Sequence, residues 1–153
     1  MTILVPFDGS KLSEAALVRA TTLSDTFDET VLAVTVIPEG NAEYARKHGW
    51  LGPDEEYDEE TVVARLHEQV TDVAPAADFR HELVSRYAST GTIAQKLRAT
   101  AKDADVRLVV IGSDNAGSMV ASIHSVGSTV AADSAFDVLI VRRSVHADGA
   151  SGW

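Results

Sequence analysis

The chain has 153 residues, the length of one compact domain rather than two. Its 45% hydrophobic content excludes a disordered chain, and 13 Lys+Arg against 23 Asp+Glu give a net charge of -10. With four lysines (Lys11, Lys47, Lys96 and Lys102) and no basic cluster, such a field is repelled by nucleic acid and by anionic membranes. The absence of cysteine removes disulfide scaffolds, zinc-thiolate and iron-sulfur sites and thiol catalysis. The opening MTILVPFDGS has neither the basic nor the apolar region of a signal peptide, and no apolar run reaches membrane-spanning length. A cytoplasmic location is therefore expected.

In chain order, Thr2 to Phe7 is an unbroken apolar run closed by Asp8-Gly9-Ser10, the pattern of a strand covered on both faces. Ser10 is a helix cap, and Leu12, Ala16, Ala20 and Leu23 follow at helical spacing. Residues 30–37 repeat the buried-strand pattern before Pro38 ends it. Residues 39–58 form an irregular excursion that carries the acidic cluster Asp54, Glu55, Glu56 and Asp58, read as solvated charge. A short helix over Ala42 to His48 and the apolar Trp50 stand out within it. A helix resumes at Glu59 with Val62, Val63, Leu66, Val70 and Val73 on one face, and stops at Pro75. Phe79 to Val84 is a less apolar strand near a sheet edge, and Ser89-Thr90-Gly91 opens a helix carrying Ile93, Leu97, Ala101 and Ala104. Leu108 to Ile111 is a further buried strand. Residues 114–126 form a loop, Gly127-Ser128 opens a helix, and Val138 to Val141 is the last strand. The domain spans 1–143, and the tail 144–153 has no periodicity.

This alternation defines an α/β fold with an open, five-stranded, mainly parallel sheet and helices on both faces. Ligands of such sheets lie beyond the carboxyl ends of the strands, where strand order reverses. The candidate site is thereby narrowed to Pro6 to Ser10 after the first strand, Val36 to Pro38 at the end of the second, and Gly112 to Ser128. Within and beside these stretches the candidate ligand-binding residues are Pro6, Phe7, Asp8, Val36, Gly112, Ser113, Gly117, Gly127, Ser128 and Thr129. Gly112 and Gly117 follow a buried strand, and Gly127-Ser128-Thr129 starts a helix. Glycine allows close backbone approach, and hydroxyls and helix-terminal amides suit anionic oxygens. Asp8 can cap the following helix or form an Asx-turn with Ser10, and either is compatible with a ligand contact. The five histidines (His48, His67, His81, His124 and His146) lack metal-ligand spacing, and no nucleophile elbow, P-loop or Gly-x-Gly-x-x-Gly is present.

The strand LVVIGS, the run Gly117-x9-Gly127-Ser128, the closing strand DVLIVR and the start ILVPFDGS together resemble the universal stress protein (UspA) family over residues 2–143. The ATP-binding branch of that family carries Gly-x2-Gly-x9-Gly-Ser/Thr after its fourth strand. The resemblance implies a Rossmann-like fold of the adenine nucleotide alpha hydrolase kind. It also implies binding of ATP or another adenine nucleotide, a polar contact from Asp8, and a backbone contact to adenine from Val36. The first glycine interval departs from the family pattern, reading Gly112-x4-Gly117; with Gly112 held in register, Asn115 takes the second glycine position. The longer loop either wraps phosphates or fills the pocket. Asp114 would repel a phosphate unless Mg²⁺ lay between them.

The leading expectation is a nucleotide-binding sensor or regulator in stress response, and the alternative is a dimeric interaction protein of the same fold without nucleotide. No catalytic residues and no metal site are assigned, because paired carboxylates, an activated nucleophile and an arginine clamp are absent. The resemblance further implies a homodimer paired through Val138 to Val141, with no nucleic-acid or membrane partner. Glu14, Glu59, Glu60, Glu68, Asp72 and Asp103 fall off the helix stripes. Such an acidic, lysine-poor surface suits a salty, halophilic cytoplasm, where screening suppresses self-repulsion.

Overall fold

The computed structural model describes residues 2–112 and 136–143. The helix expected from Gly127, the loop before it and the tail 144–153 lie outside those residues. Among the described residues, five strands and four helices follow one another as β1 (Thr2–Pro6), α1 (Lys11–Phe27), β2 (Thr30–Pro38), α2 (Ala42–Lys47), α3 (Glu59–Val73), β3 (Asp78–Val84), α4 (Thr90–Asp103), β4 (Val106–Gly112) and β5 (Asp137–Val141). The sheet order is β3-β2-β1-β4-β5, and every pairing is parallel. The chain thus steps outward from β1 to β2 and β3, then returns to the other side of β1 for β4 and β5. Strand order reverses between β1 and β4.

Both faces of the sheet are covered, which is why its central strands read as continuous apolar runs. Ile3, Val5, Val31, Ala33, Ile37 and Val110 point to the face packed by α1 and α3, whereas Leu4, Val34, Val36, Val109 and Ile111 point to the face packed by α4. The helix ends follow from local chemistry. Ser10 has extended backbone angles and its side chain accepts the Ser13 amide at 3.1 Å; Ser89 caps α4 in the same way through Thr92. At the far end of α1, Asp28 takes the left-handed conformation (φ 55°) and turns the chain into β2.

The helix stripes differ in detail from the sequence expectation. On α1 the buried set is Ser13, Ala15, Ala16, Leu17 and Ala20, with Leu12 and Leu23 only half-buried. On α3 Val62, Leu66 and Val70 are buried while Val63 and Val73 are partly so. On α4 the core side is Ala94, Leu97, Thr100 and Ala101, and Ile93 is left half-buried. β3 lies at a sheet edge as its composition implied. Phe79 and Leu83 pack toward α3, with His67 stacked on Phe79 at 5.1 Å. Glu82, on the opposite face, pairs with Arg80 at 2.7 Å and Lys96 at 3.8 Å. Among the described residues no helix is long and apolar enough to cross a membrane.

Candidate functional site

At the carboxyl ends of β1, β2 and β4, beside the reversal of strand order, a cleft of about 470 Å³, counting its open mouth, is lined by Pro6, Phe7, Asp8, Val34, Val36, Tyr44, Trp50, Ile93, Leu97, Ile111 and Gly112. The structure therefore brings together Pro6, Phe7, Asp8, Val36 and Gly112, five of the residues singled out from sequence. Ser113, Gly117, Gly127, Ser128 and Thr129 lie outside the described residues, as do Asp114 and Asn115.

The turn after β1 is held from several sides. The Phe7 amide donates to the Val34 carbonyl at 2.8 Å. The carbonyl of Phe7 accepts the buried Thr35 hydroxyl at 2.7 Å, that of Asp8 accepts the Trp50 indole N–H at 2.8 Å, and that of Gly9 accepts the Gln69 amide at 3.0 Å. Asp8 Oδ1 accepts the Ser10 amide at 2.9 Å, which is the Asx-turn. That bond uses one acceptor site of the carboxylate and leaves others for a ligand contact. Gly9 has φ +82°, and a Cβ there would lie 3.2 Å from Gln69 Oε1.

Gly112 plays a structural part that the glycine motif alone does not reveal. A Cβ on it would lie 1.9 Å from the Leu12 carbonyl oxygen and 2.6 Å from the Leu12 carbonyl carbon. The end of β4 therefore touches the backbone of the first turn of α1, and glycine is the residue that permits this contact.

Six cleft residues escaped sequence reasoning as site residues: Val34, Ile93, Leu97 and Ile111, which read only as core positions, and the aromatic pair Tyr44 and Trp50. Tyr44 lies on α2, and Trp50 follows it in the excursion; the Tyr44 ring stacks on His48 at 4.1 Å and lies 5.5 Å from the Trp50 ring. Trp50 is buried rather than exposed. The available signal was the helical i, i+4 spacing of Tyr44 and His48 directly after a buried strand. Burial pushes the Tyr44 phenol above its usual range, and the Asp8 carboxylate adds to the shift.

The acidic group of the excursion divides into two kinds. Asp54, Glu56 and Asp58 are exposed, as expected for solvated charge. Glu55 instead organises the segment: Arg65 grips both its oxygens at 2.8 Å, and the Gly52 amide donates to Oε1 at 2.7 Å. The Arg65 hydrogen bonds, with help from the Gly52 amide, hold the Glu55 carboxyl at about 2. Arg65 also donates to the Trp50 carbonyl at 3.1 Å, so the pair fixes the cleft wall as well as the loop. Among the described residues no set of three His, Cys, Asp or Glu side chains converges as a metal-binding group.

Chemically, the described wall is an apolar slot with one carboxylate and one phenol, and no lysine or arginine lines it. Such a surface suits a flat, weakly polar ring rather than a phosphate chain. An all-parallel doubly wound sheet with a cleft at its switch point defines the class of α/β protein that places ligands at the strand ends. The universal stress protein family model matches residues 1–142, and the chain belongs to that family.

Solved structures of the family share the fold. A universal stress protein in complex with cAMP is 22% identical, with 93% of this chain and 96% of that one covered at a TM-score of 0.53. One from Archaeoglobus fulgidus in complex with dAMP is 13% identical, with 92% and 96% covered at 0.53. A family protein from Burkholderia pseudomallei is 20% identical, with 93% and 96% covered at 0.51. A search of curated proteins gave no significant match.

Proposed function

We propose that the protein binds ATP or another adenine nucleotide, with Mg²⁺ beside the phosphates, and acts as a sensor or regulator in stress response rather than as a catalyst. The observation that carries this reading is the cleft itself. Val34, Val36, Ile93, Leu97 and Ile111 form an apolar slot at the switch point, with Asp8 at its polar end. The base of an adenine nucleotide would occupy the slot, with Val36 and Asp8 nearest to it. The phosphates would extend toward Gly112, Ser113, Gly117, Gly127, Ser128 and Thr129. The cAMP and dAMP held by two relatives of the same fold support adenine as the base.

Differential scanning calorimetry with AMP, cAMP, dAMP and ATP, the last with and without Mg²⁺, tests the reading. A ligand at a hundredfold its dissociation constant stabilises the native state by about 2.7 kcal/mol. For a domain of this size that raises Tm by about 5–11 °C. No shift with any of them, in a folded preparation, overturns the proposal and favours the interaction protein without nucleotide.

We also propose a cytoplasmic homodimer paired through β5. Its Val138, Leu139 and Ile140 are half-buried, and among the described residues no strand pairs with its outer edge. Light scattering that gives a monomer at micromolar concentration would contradict this assembly.

A further inference from the structure

The cleft has an aromatic wall that the glycine motif and the strand ends do not account for. Tyr44 packs against the core of α1 and α3, to which Trp50 belongs, whereas Leu97 belongs to the core beneath α4 and Ile93 packs against it. All four line the cleft. A ligand entering it therefore meets aromatic rings from one side of the sheet and branched aliphatic side chains from the other.

The Tyr44 ring is held before any ligand arrives. Asn41 caps α2 by accepting the Tyr44 amide at 2.9 Å, and His48 stacks on the ring with an interplanar angle of 22°. Trp50 lies against it at a tilt of 59° and is itself pinned to the Asp8 carbonyl at 2.8 Å. His48 covers one face of the ring, and Tyr44 lines the cleft beside Trp50. A ring already fixed in this way loses little rotamer freedom on binding. With no cation among the described residues of the wall, recognition along it falls to stacking and single hydrogen bonds rather than to ion pairing.

We infer that Tyr44 is a specificity-determining residue of this cleft: its held ring selects ligands that carry a planar heteroaromatic base over those that present only sugar and phosphate. The inference rests on the nucleotide reading above and adds to it a selecting residue on the excursion, outside the family's glycine motif.

Calorimetric titration of AMP into the wild type, Tyr44→Phe and Tyr44→Leu tests it. Phenylalanine keeps the aromatic face, so its Kd stays within about twofold of the wild type; leucine fills similar space without that face and weakens binding by about tenfold. A measurement on the wild type alone removes any dependence on how the variants fold. Adenosine should displace AMP, and ribose 5-phosphate should do so at least about tenfold more weakly. Equal AMP affinity in Tyr44→Leu and the wild type, or ribose 5-phosphate competing as well as adenosine, overturns the role of Tyr44 and leaves nucleotide binding standing. A wild type that binds no AMP at all overturns the nucleotide reading and this inference with it.

Discussion

Replacing Gly112 by alanine should destabilise the fold far more than its place at a strand end and cleft rim suggests. The added methyl would lie 1.9 Å from the Leu12 oxygen and 3.0 Å from Ala16 Cβ. Ordinary contact requires α1 and β4 to separate by roughly an ångström or more. Neither side yields easily. β4 is paired on both flanks, and the start of α1 is tied to α3 through Gln69, which donates to the Gly9 carbonyl and to Glu14, each at 3.0 Å. Overpacking costs about 1–3 kcal/mol, and a clash with backbone belongs at the upper end. About 3 kcal/mol corresponds to a fall in Tm of about 6–12 °C for a domain of this length. Scanning calorimetry measures it. Gly91→Ala is the control of opposite sign: among the described residues only Ser89 Oγ, at 3.7 Å, lies near its Cβ, and the residue is helical. It should stabilise the fold by up to about 1 kcal/mol. A Gly112→Ala protein that melts within about 2 °C of the wild type would refute the close-approach explanation.

Other substitutions probe the cleft's supports. Thr35→Val keeps the side-chain shape but leaves the Phe7 carbonyl without the buried hydroxyl that now donates to it at 2.7 Å, and should cost about 1–3 kcal/mol in chemical denaturation. Trp50→Phe removes the indole N–H from the Asp8 carbonyl and should cost about 1 kcal/mol or more, with an unchanged denaturant slope. The Glu55 carboxyl sits at about 2 against its ordinary 4.5, so its pairing with Arg65 stabilises the fold above about 4.5 and is lost as pH falls toward 2. The Tm difference between wild type and Glu55→Gln should therefore shrink across that interval, and a constant difference would contradict the pairing. With a net charge of -10, stability should rise between low and molar KCl, and a flat melting curve series would count against charge repulsion as a significant term.

Much of the fold was legible because its signals are local. The unbroken apolar runs before Asp8 and Pro38 are what a strand buried on both faces requires, and Ser10 and Ser89 cap their helices by bonds that span three residues. The cleft's strand-end residues followed from topology, since an alternating chain leaves few places for the switch point. Tyr44 and Trp50 were not legible as cleft residues. Trp50 is placed by its bond to Asp8 across 42 positions, which leaves no periodic trace, and the local i, i+4 stacking of Tyr44 on His48 does not by itself point to a cleft. Glu55 was taken for solvated charge for the same reason: its partner Arg65 is ten positions away on the next helix. Gly112 was legible as a glycine that matters, but its contact with Leu12 joins two elements far apart in the chain.

The three consecutive carbonyls of Phe7, Asp8 and Gly9 accept from Thr35, Trp50 and Gln69, donors contributed by β2, the excursion and α3. The turn is consequently not a portable module. A chimera that imported only residues 1–27 from a relative would carry carbonyls whose donors remain encoded elsewhere, and one that exchanged only the excursion would strip the Asp8 carbonyl of its indole. Recombination within this fold should succeed when the first 70 or so residues travel together, because all three donors then arrive with the turn they satisfy.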